Sequence, residues 1–184
     1  EVSERPAEAE AFVIAVPTPV RSDRRADLRH VEAAAEAIIP HLRPGNLVML
    51  ESTCPPGTTL GTVGPILERS GLKAGAEFLL AYTPERALPG KLLQELVENA
   101  RVIGGIDRPS AEAGRELYRT FVKGEILLTD ATTAEMVKLM ENTYRDVNIA
   151  IANEFSHLAE RIGVDVWEAV RLANQHPRVN ILRP

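Results

Sequence analysis

Cys54 is the single cysteine in 184 residues. One thiol excludes an internal disulfide framework and a cysteine-based zinc site. The four histidines are dispersed and show no metal-ligand spacing, so no metal is expected. No block of basic residues offers a phosphate-binding stripe. A net charge of −5 and a pI near 5.5 also argue against a nucleic-acid partner. No apolar run approaches the ~18 residues of a membrane span, and no secretory signal pattern opens the chain. A cytoplasmic setting without a membrane partner is therefore the expectation. Solenoid-period repeats and low-complexity tracts are missing too. The most telling absence is the Gly-x-Gly-x-x-Gly turn that normally opens a dinucleotide-binding sheet. Gly104-Gly105 comes nearest, but it follows a late strand and lacks the spacing.

What is present is ordinary globular material, 45% hydrophobic and 26% charged, with strands and helices in alternation. Residues 11–16 (AFVIAV) form a continuously apolar run, as a parallel strand buried on both faces requires. Asp27 is placed to cap a helix over 28–41, which stops before Pro44-Gly45. Residues 47–50 form the next strand, followed by a Pro-Pro-Gly turn and a helix over about 58–70 with Gly71 as its C-cap. Further strands are expected at 78–82, 101–103 and 125–129, with a helix over 109–121. Such alternation predicts an α/β fold with a mainly parallel sheet.

After Asp130 the character changes. Thr132 and Glu135 have the spacing of a capping box. The helix they would open meets no glycine or proline until Gly163. It can therefore run about 30 residues, roughly 45 Å at 1.5 Å per residue, more than is needed to cover one small sheet. Met136, Met140 and Val147 fall on one side of it, and Lys138, Asn142 and Arg145 on the other. Its apolar stripe continues through Ile151, Phe155, Leu158 and Ile162 and suits packing against another subunit or, equally, against a further C-terminal domain. A shorter helix over 166–174 follows, capped by Asp165 with Glu168 three residues on.

Polar residues collect where strands end. Pro17-Thr18-Pro19 follows the first strand, Ser52-Thr53 the second, Thr83-Pro84-Glu85-Arg86 the third, and Lys138 and Asn142 the last. In open α/β sheets that edge binds ligands. Each group also has a plainer reading: turn chemistry for the prolines, a surface pair for Glu85-Arg86, and a solvated face for Lys138 and Asn142. Together, Thr53, Glu85, Lys138 and Asn142 can orient water and stabilise a developing oxyanion. Cys54 reads as a small buried filler, because nothing nearby in sequence would hold it as a thiolate.

Four segments in order carry a resemblance: residues 12–19 (FVIAVPTP), 51–59 (ESTCPPGTT), 82–90 (YTPERALPG) and 135–142 (EMVKLMEN). The chain from Phe12 onward resembles the UDP-glucose/GDP-mannose dehydrogenase family. Its Pro-Glu-Arg-x-x-Pro-Gly loop and its 176–181 tail (HPRVNI) are closest to the branch acting on UDP-N-acetyl-D-mannosamine. The resemblance implies oxidation of a sugar C6 alcohol to a carboxylate by two NAD⁺, through an aldehyde and a cysteine-bound thioester. It implies that Lys138 and Asn142 stabilise the oxyanion, while Thr53 and Glu85 activate the hydrolytic water. Pro17, Thr18, Pro19, Ser52 and Thr53 would lie along the NAD. Glu85, Arg86, Ala87, Leu88, Lys138, Asn142 and Arg178 would meet the UDP-sugar. A homodimer through the 131–162 helix is also implied.

The departures from the family pattern are equally specific. The family's nucleophilic cysteine follows a Val-Asn-Ile-Leu segment, and this sequence stops at Pro184. Cys54 stands where the family usually has an apolar residue, so it is not the nucleophile. The expectation is a partial Rossmann-like parallel sheet over 1–130, then the start of a long-helix central dimerisation region over 131–184. Such a fragment, lacking the nucleophile, is expected to be inactive alone. UDP-N-acetylglucosamine or UDP-glucose 6-dehydrogenases, and a non-catalytic dimerisation or binding module, remain the alternatives.

Overall fold

The computed structural model describes residues 3, 6–86 and 90–184. Its first compact unit, Glu1–Lys138, is built on a five-stranded sheet in sequential order. The strands are β1 (Ala11–Ile14), β2 (Leu47–Leu50), β3 (Leu79–Tyr82), β4 (Arg101–Gly105) and β5 (Ile126–Asp130). β1, β2 and β3 are parallel, with Ile14 beside Leu50 and Leu50 beside Tyr82. All four residues of β2 are buried, as a central strand covered on both faces demands.

Two cores flank the sheet. On one face, Val31, Ala35 and Ile38 of helix α1 (Arg29–Ile38) meet Val48 and Leu80. Ala131 and Ala134 from the start of helix α5 (Ala131–Ile162) belong to the same core. On the other face, Tyr118 of helix α4 (Arg108–Tyr118) and Val122 join Met49 and Ile103. α1 starts one residue later than the sequence predicted. Leu28 takes the capping position without a side-chain bond, and the Asp27 carboxylate instead grips the Arg29 guanidinium.

The segment predicted as one helix over 58–70 is helical but unevenly wound. A π-turn (Thr59–Val63) leads into the short helix α2 (Gly64–Leu67) and a 3₁₀ turn (Glu68–Ser70). Pro65 at the start of α2 has no N–H to give, which favours the wider turn before it. Gly71 closes the segment in the left-handed conformation, φ 91°.

The largest departure from expectation is β4, which runs antiparallel to β3. The chain leaves β3, forms the short helix α3 (Leu92–Glu98), which the sequence reading missed, and re-enters the sheet from the same edge. Seven residues of helix span only ~10 Å, a shorter run than the helical segments 59–70 and 108–118 of the parallel crossovers on either side. β5 then pairs in parallel with β4. Gly104 and Gly105 lie inside β4 and have a packing role. A Cβ on Gly104 would sit 2.7 Å from the Ala134 Cβ, and one on Gly105 would overlap the backbone of Asp107 and Ala111.

α5 is continuous over 32 residues, close to the predicted length. Its cap is Asp130, which accepts from Thr133 N at 2.9 Å and Thr133 Oγ1 at 2.6 Å. Those bonds hold the Asp130 carboxyl below the usual carboxylate range. The Thr132/Glu135 capping box does not form, because Glu135 is buried and bonded elsewhere. The second unit, Leu139–Pro184, holds the rest of α5 and helix α6 (Val166–Ala173). Asp165 caps α6 as predicted, accepting from Trp167 N and Glu168 N. No helix among the described residues is long and apolar enough to cross a membrane.

Candidate functional site

The exits of β1, β2 and β3 lie along one edge of the sheet, and side chains lace the turns there together. Ser52 Oγ accepts from Val16 N at 2.9 Å and donates to Val16 O at 2.8 Å. Thr18 Oγ1 donates to Thr53 O at 2.5 Å. The expected cofactor residues Pro17, Thr18, Pro19, Ser52 and Thr53 thus form one tied strip. Pro17 and Pro19 are exposed, and Thr18 and Thr53 are half-buried. The parallel pairing of β2 with β3 continues into Thr83 N bonded to Leu50 O at 3.0 Å. Thr53 and Glu85 therefore leave the sheet on neighbouring strands.

Lys138 reaches this edge by a route the sequence did not suggest. β5 is parallel to β4 and so ends at the opposite edge, where β1–β3 begin. From there α5 runs back along the sheet, and its eight residues to Lys138 cover ~12 Å. The Lys138 ammonium then donates to the backbone oxygen of Glu85. Lys138 and Glu85 are thus brought into contact by the helix, not by a shared strand-end position.

Glu135, one turn before Lys138, fixes that approach. Its carboxylate is fully buried and accepts from Gly57 N, from Thr59 N at 2.7 Å and from Thr59 Oγ1 at 2.6 Å. The Cys54 thiol lies 3.7 Å from the same carboxylate. Burial, and next the Glu135 charge, push the Cys54 thiol up to about 12. A thiol held protonated is a filler and not a nucleophile, in line with the sequence reading.

Glu85 has a second set of neighbours that sequence reasoning missed. Its Oε1 accepts from Arg86 N at 2.6 Å, and its Oε2 lies 3.7 Å from the Arg101 guanidinium. Arg101 also pairs with Glu51 at 3.0 Å and stacks 4.6 Å above the Tyr118 ring. The Tyr118 hydroxyl donates to Glu51. Burial, then the Glu51 charge, push the Tyr118 hydroxyl far above its ordinary range. An arginine at the first position of a buried strand was the available signal, since a buried cation demands partners.

The remaining predicted residues are accounted for separately. Arg86 bonds the Ala100 carbonyl at 3.0 Å. Ala87 and Leu88 lie outside the described residues. Asn142 belongs to the second unit and accepts from Arg145 at 2.9 Å. Arg178 is exposed in that same unit, its backbone N–H bonded to His176 Nδ1 at 3.3 Å. No metal-binding cluster of His, Cys, Asp or Glu occurs among the described residues.

Comparison with known proteins bears on what this edge serves. Residues 1–122 match the NAD-binding domain of the UDP-glucose/GDP-mannose dehydrogenase family, and residues 132–184 match its central domain. The chain belongs to this family. It is 55% identical to the UDP-N-acetyl-D-mannosamine dehydrogenase of Methanocaldococcus jannaschii, over all of this chain and 42% of that protein. It is 50% identical to the NDP-N-acetyl-D-galactosaminuronic acid dehydrogenase of Ralstonia solanacearum, over 97% of this chain and 44% of that one. The solved UDP-N-acetyl-mannosamine dehydrogenase of Staphylococcus aureus superposes with a TM-score of 0.92 at 48% identity. That match covers 100% of this chain and 45% of the other. The chain therefore spans about two-fifths of the length of such relatives. The expected α/β fold and family are both met.

Proposed function

We propose that the exit edge of β1–β3 serves the oxidation of a UDP-N-acetylhexosamine, UDP-N-acetyl-D-mannosamine in the first instance, in the whole enzyme of which these residues are part. The observation that carries this reading is the bond from Lys138 to the Glu85 backbone, which joins the long helix to the Pro-Glu-Arg loop. In balanced form, R–CH₂OH + 2 NAD⁺ + H₂O gives R–COO⁻ + 2 NADH + 3 H⁺. NAD supplies the hydride acceptor; this chain's residues stabilise charge and activate water, and the covalent step is left to the rest of the enzyme.

The ammonium of Lys138 favours negative charge on the C6 oxygen, which develops during reaction and not in the alcohol itself. Asn142, as an amide donor on the same helix, is assigned to the same oxygen. Thr53 and the Glu85 carboxylate hold and deprotonate the water that yields the acid. Arg86 and Arg178 are assigned to the charged UDP-sugar, with Ala87 and Leu88 beside it. The strip of Pro17, Thr18, Pro19, Ser52 and Thr53 is uncharged and partly open, and it would lie along the NAD. The 184 residues hold no Gly-rich turn for the pyrophosphate.

Two copies are proposed to pair through α5. Met140, Tyr144, Val147, Ile151, Phe155 and Leu158 are all exposed along it, an apolar stripe longer than a solvated helix carries.

Substrate choice is tested by NADH release from the intact enzyme. UDP-N-acetyl-D-mannosamine should support it and UDP-glucose should not. Faster release with an N-acetylgalactosamine nucleotide would favour the second acetylated sugar, consistent with the name of the Ralstonia relative. Release with UDP-glucose alone would overturn the proposal.

A further inference from the structure

The antiparallel turn-back of β4 brings a buried cation to the edge where Glu85 works. The pairing of Ala81 with Gly105 and Tyr82 with Gly104, continued by three residues, sets Arg101 opposite Glu85. The Arg101 side chain is only 6% exposed, deeper than either carboxylate that it touches. Removing a guanidinium from water costs several kcal/mol unless it is well paired. Here one nitrogen meets Glu51 at 3.0 Å, another faces Glu85 at 3.7 Å, and the Tyr118 ring lies beneath the plane. The fork is rigid and planar. Once Tyr118 and Glu51 fix that plane, the direction of the nitrogen facing Glu85 is fixed with it.

We propose that Arg101 is a positioning residue for Glu85: seated on Tyr118 and shared with Glu51, it aims the Glu85 carboxylate at the water that it activates. This rests on the reading of Glu85 as the water-activating group. Among the described residues, the charged groups facing Glu85 include some from four segments. Arg101 lies on β4, and Glu51 leaves β2 and acts through Arg101. Lys138 of α5 is bonded to the Glu85 backbone, and Arg86 is the next residue. Arg101 is shared, so its two carboxylates compete for it. Deleting the guanidinium leaves the Glu85 carboxylate without the partner that sets its direction.

The test is the split between kcat and KM in the intact enzyme, with rescue by the conservative variant. Arg101→Gln should lower kcat by roughly tenfold or more through misplacement of the Glu85 carboxylate. Arg101→Lys, which keeps the charge but loses the fork, should fall between Arg101→Gln and the native enzyme. KM for the UDP-sugar should stay within about twofold in both, because no substrate contact is removed. A native kcat in Arg101→Gln would overturn the proposal. If Arg101→Gln does not fold, Arg101→Lys decides alone, and a native kcat there overturns it. Glu85→Gln separates the two layers. Full turnover there sinks the reading of Glu85 itself. Lost turnover there, with native kcat in the Arg101 variants, sinks only the role of Arg101.

Discussion

Replacing Lys138 with alanine removes the ammonium that α5 delivers to the Pro-Glu-Arg loop. Loss of one preorganised oxyanion donor costs on the order of 100-fold or more in kcat. We expect that loss with a melting temperature close to the native one, measured by steady-state NADH release and thermal unfolding. Unchanged turnover would remove Lys138 from the mechanism. Cys54 offers an independent check at the same scale. Its thiol is pushed up to about 12, whereas an ordinary cysteine titrates near 8.5. The unfolded chain therefore releases this proton from about pH 8.5 upward, while the folded chain holds it to about 12. The stability tied to this group is complete below about pH 8.5 and is lost as pH rises through about 12. Native protein should accordingly resist iodoacetamide at about pH 8, and denatured protein should react. Equal rates would contradict the burial.

Among the elements, α5 and β4 carry the consequences that strand–helix alternation alone did not reveal. The spacing of Thr132 and Glu135 fits a capping box. That local pattern lost to a tertiary one, because Gly57 and Thr59 present N–H groups that only a buried acceptor can satisfy. Glu135 therefore clamps α5 to the turn after β2. Truncating it leaves those donors buried and unpaired. Glu135→Ala is expected to destabilise the first unit by about 3 kcal/mol, read from urea unfolding. A cost below about 0.5 kcal/mol, typical of a surface site, would show that the clamp is incidental. The direction of β4 was hidden for a related reason. Helix–strand alternation signals parallel pairing, and only the shortness of α3 hints at a return from the same edge. The segments 12–19, 51–59, 82–90 and 135–142 were legible because turn prolines and polar strand-end residues are concentrated in them. Arg101 was not, because a charge inside a strand declares its partners only once the strands are paired.

For the molecule as a whole, the apolar residues exposed along α5 and the oxidation edge make separate demands. Leu158→Glu places a charge on the exposed stripe at little cost to a single copy. Sedimentation velocity should then show the proposed dimer of the intact enzyme converted to monomer, and an unchanged sedimentation coefficient would contradict pairing through α5. The edge itself is tested most directly by stoichiometry. The intact enzyme, given UDP-N-acetyl-D-mannosamine and excess NAD⁺, should release two NADH for each sugar carboxylate formed, and its Lys138→Ala variant should release almost none. One NADH per sugar with an aldehyde as the final product, or no NADH at all, would contradict the account.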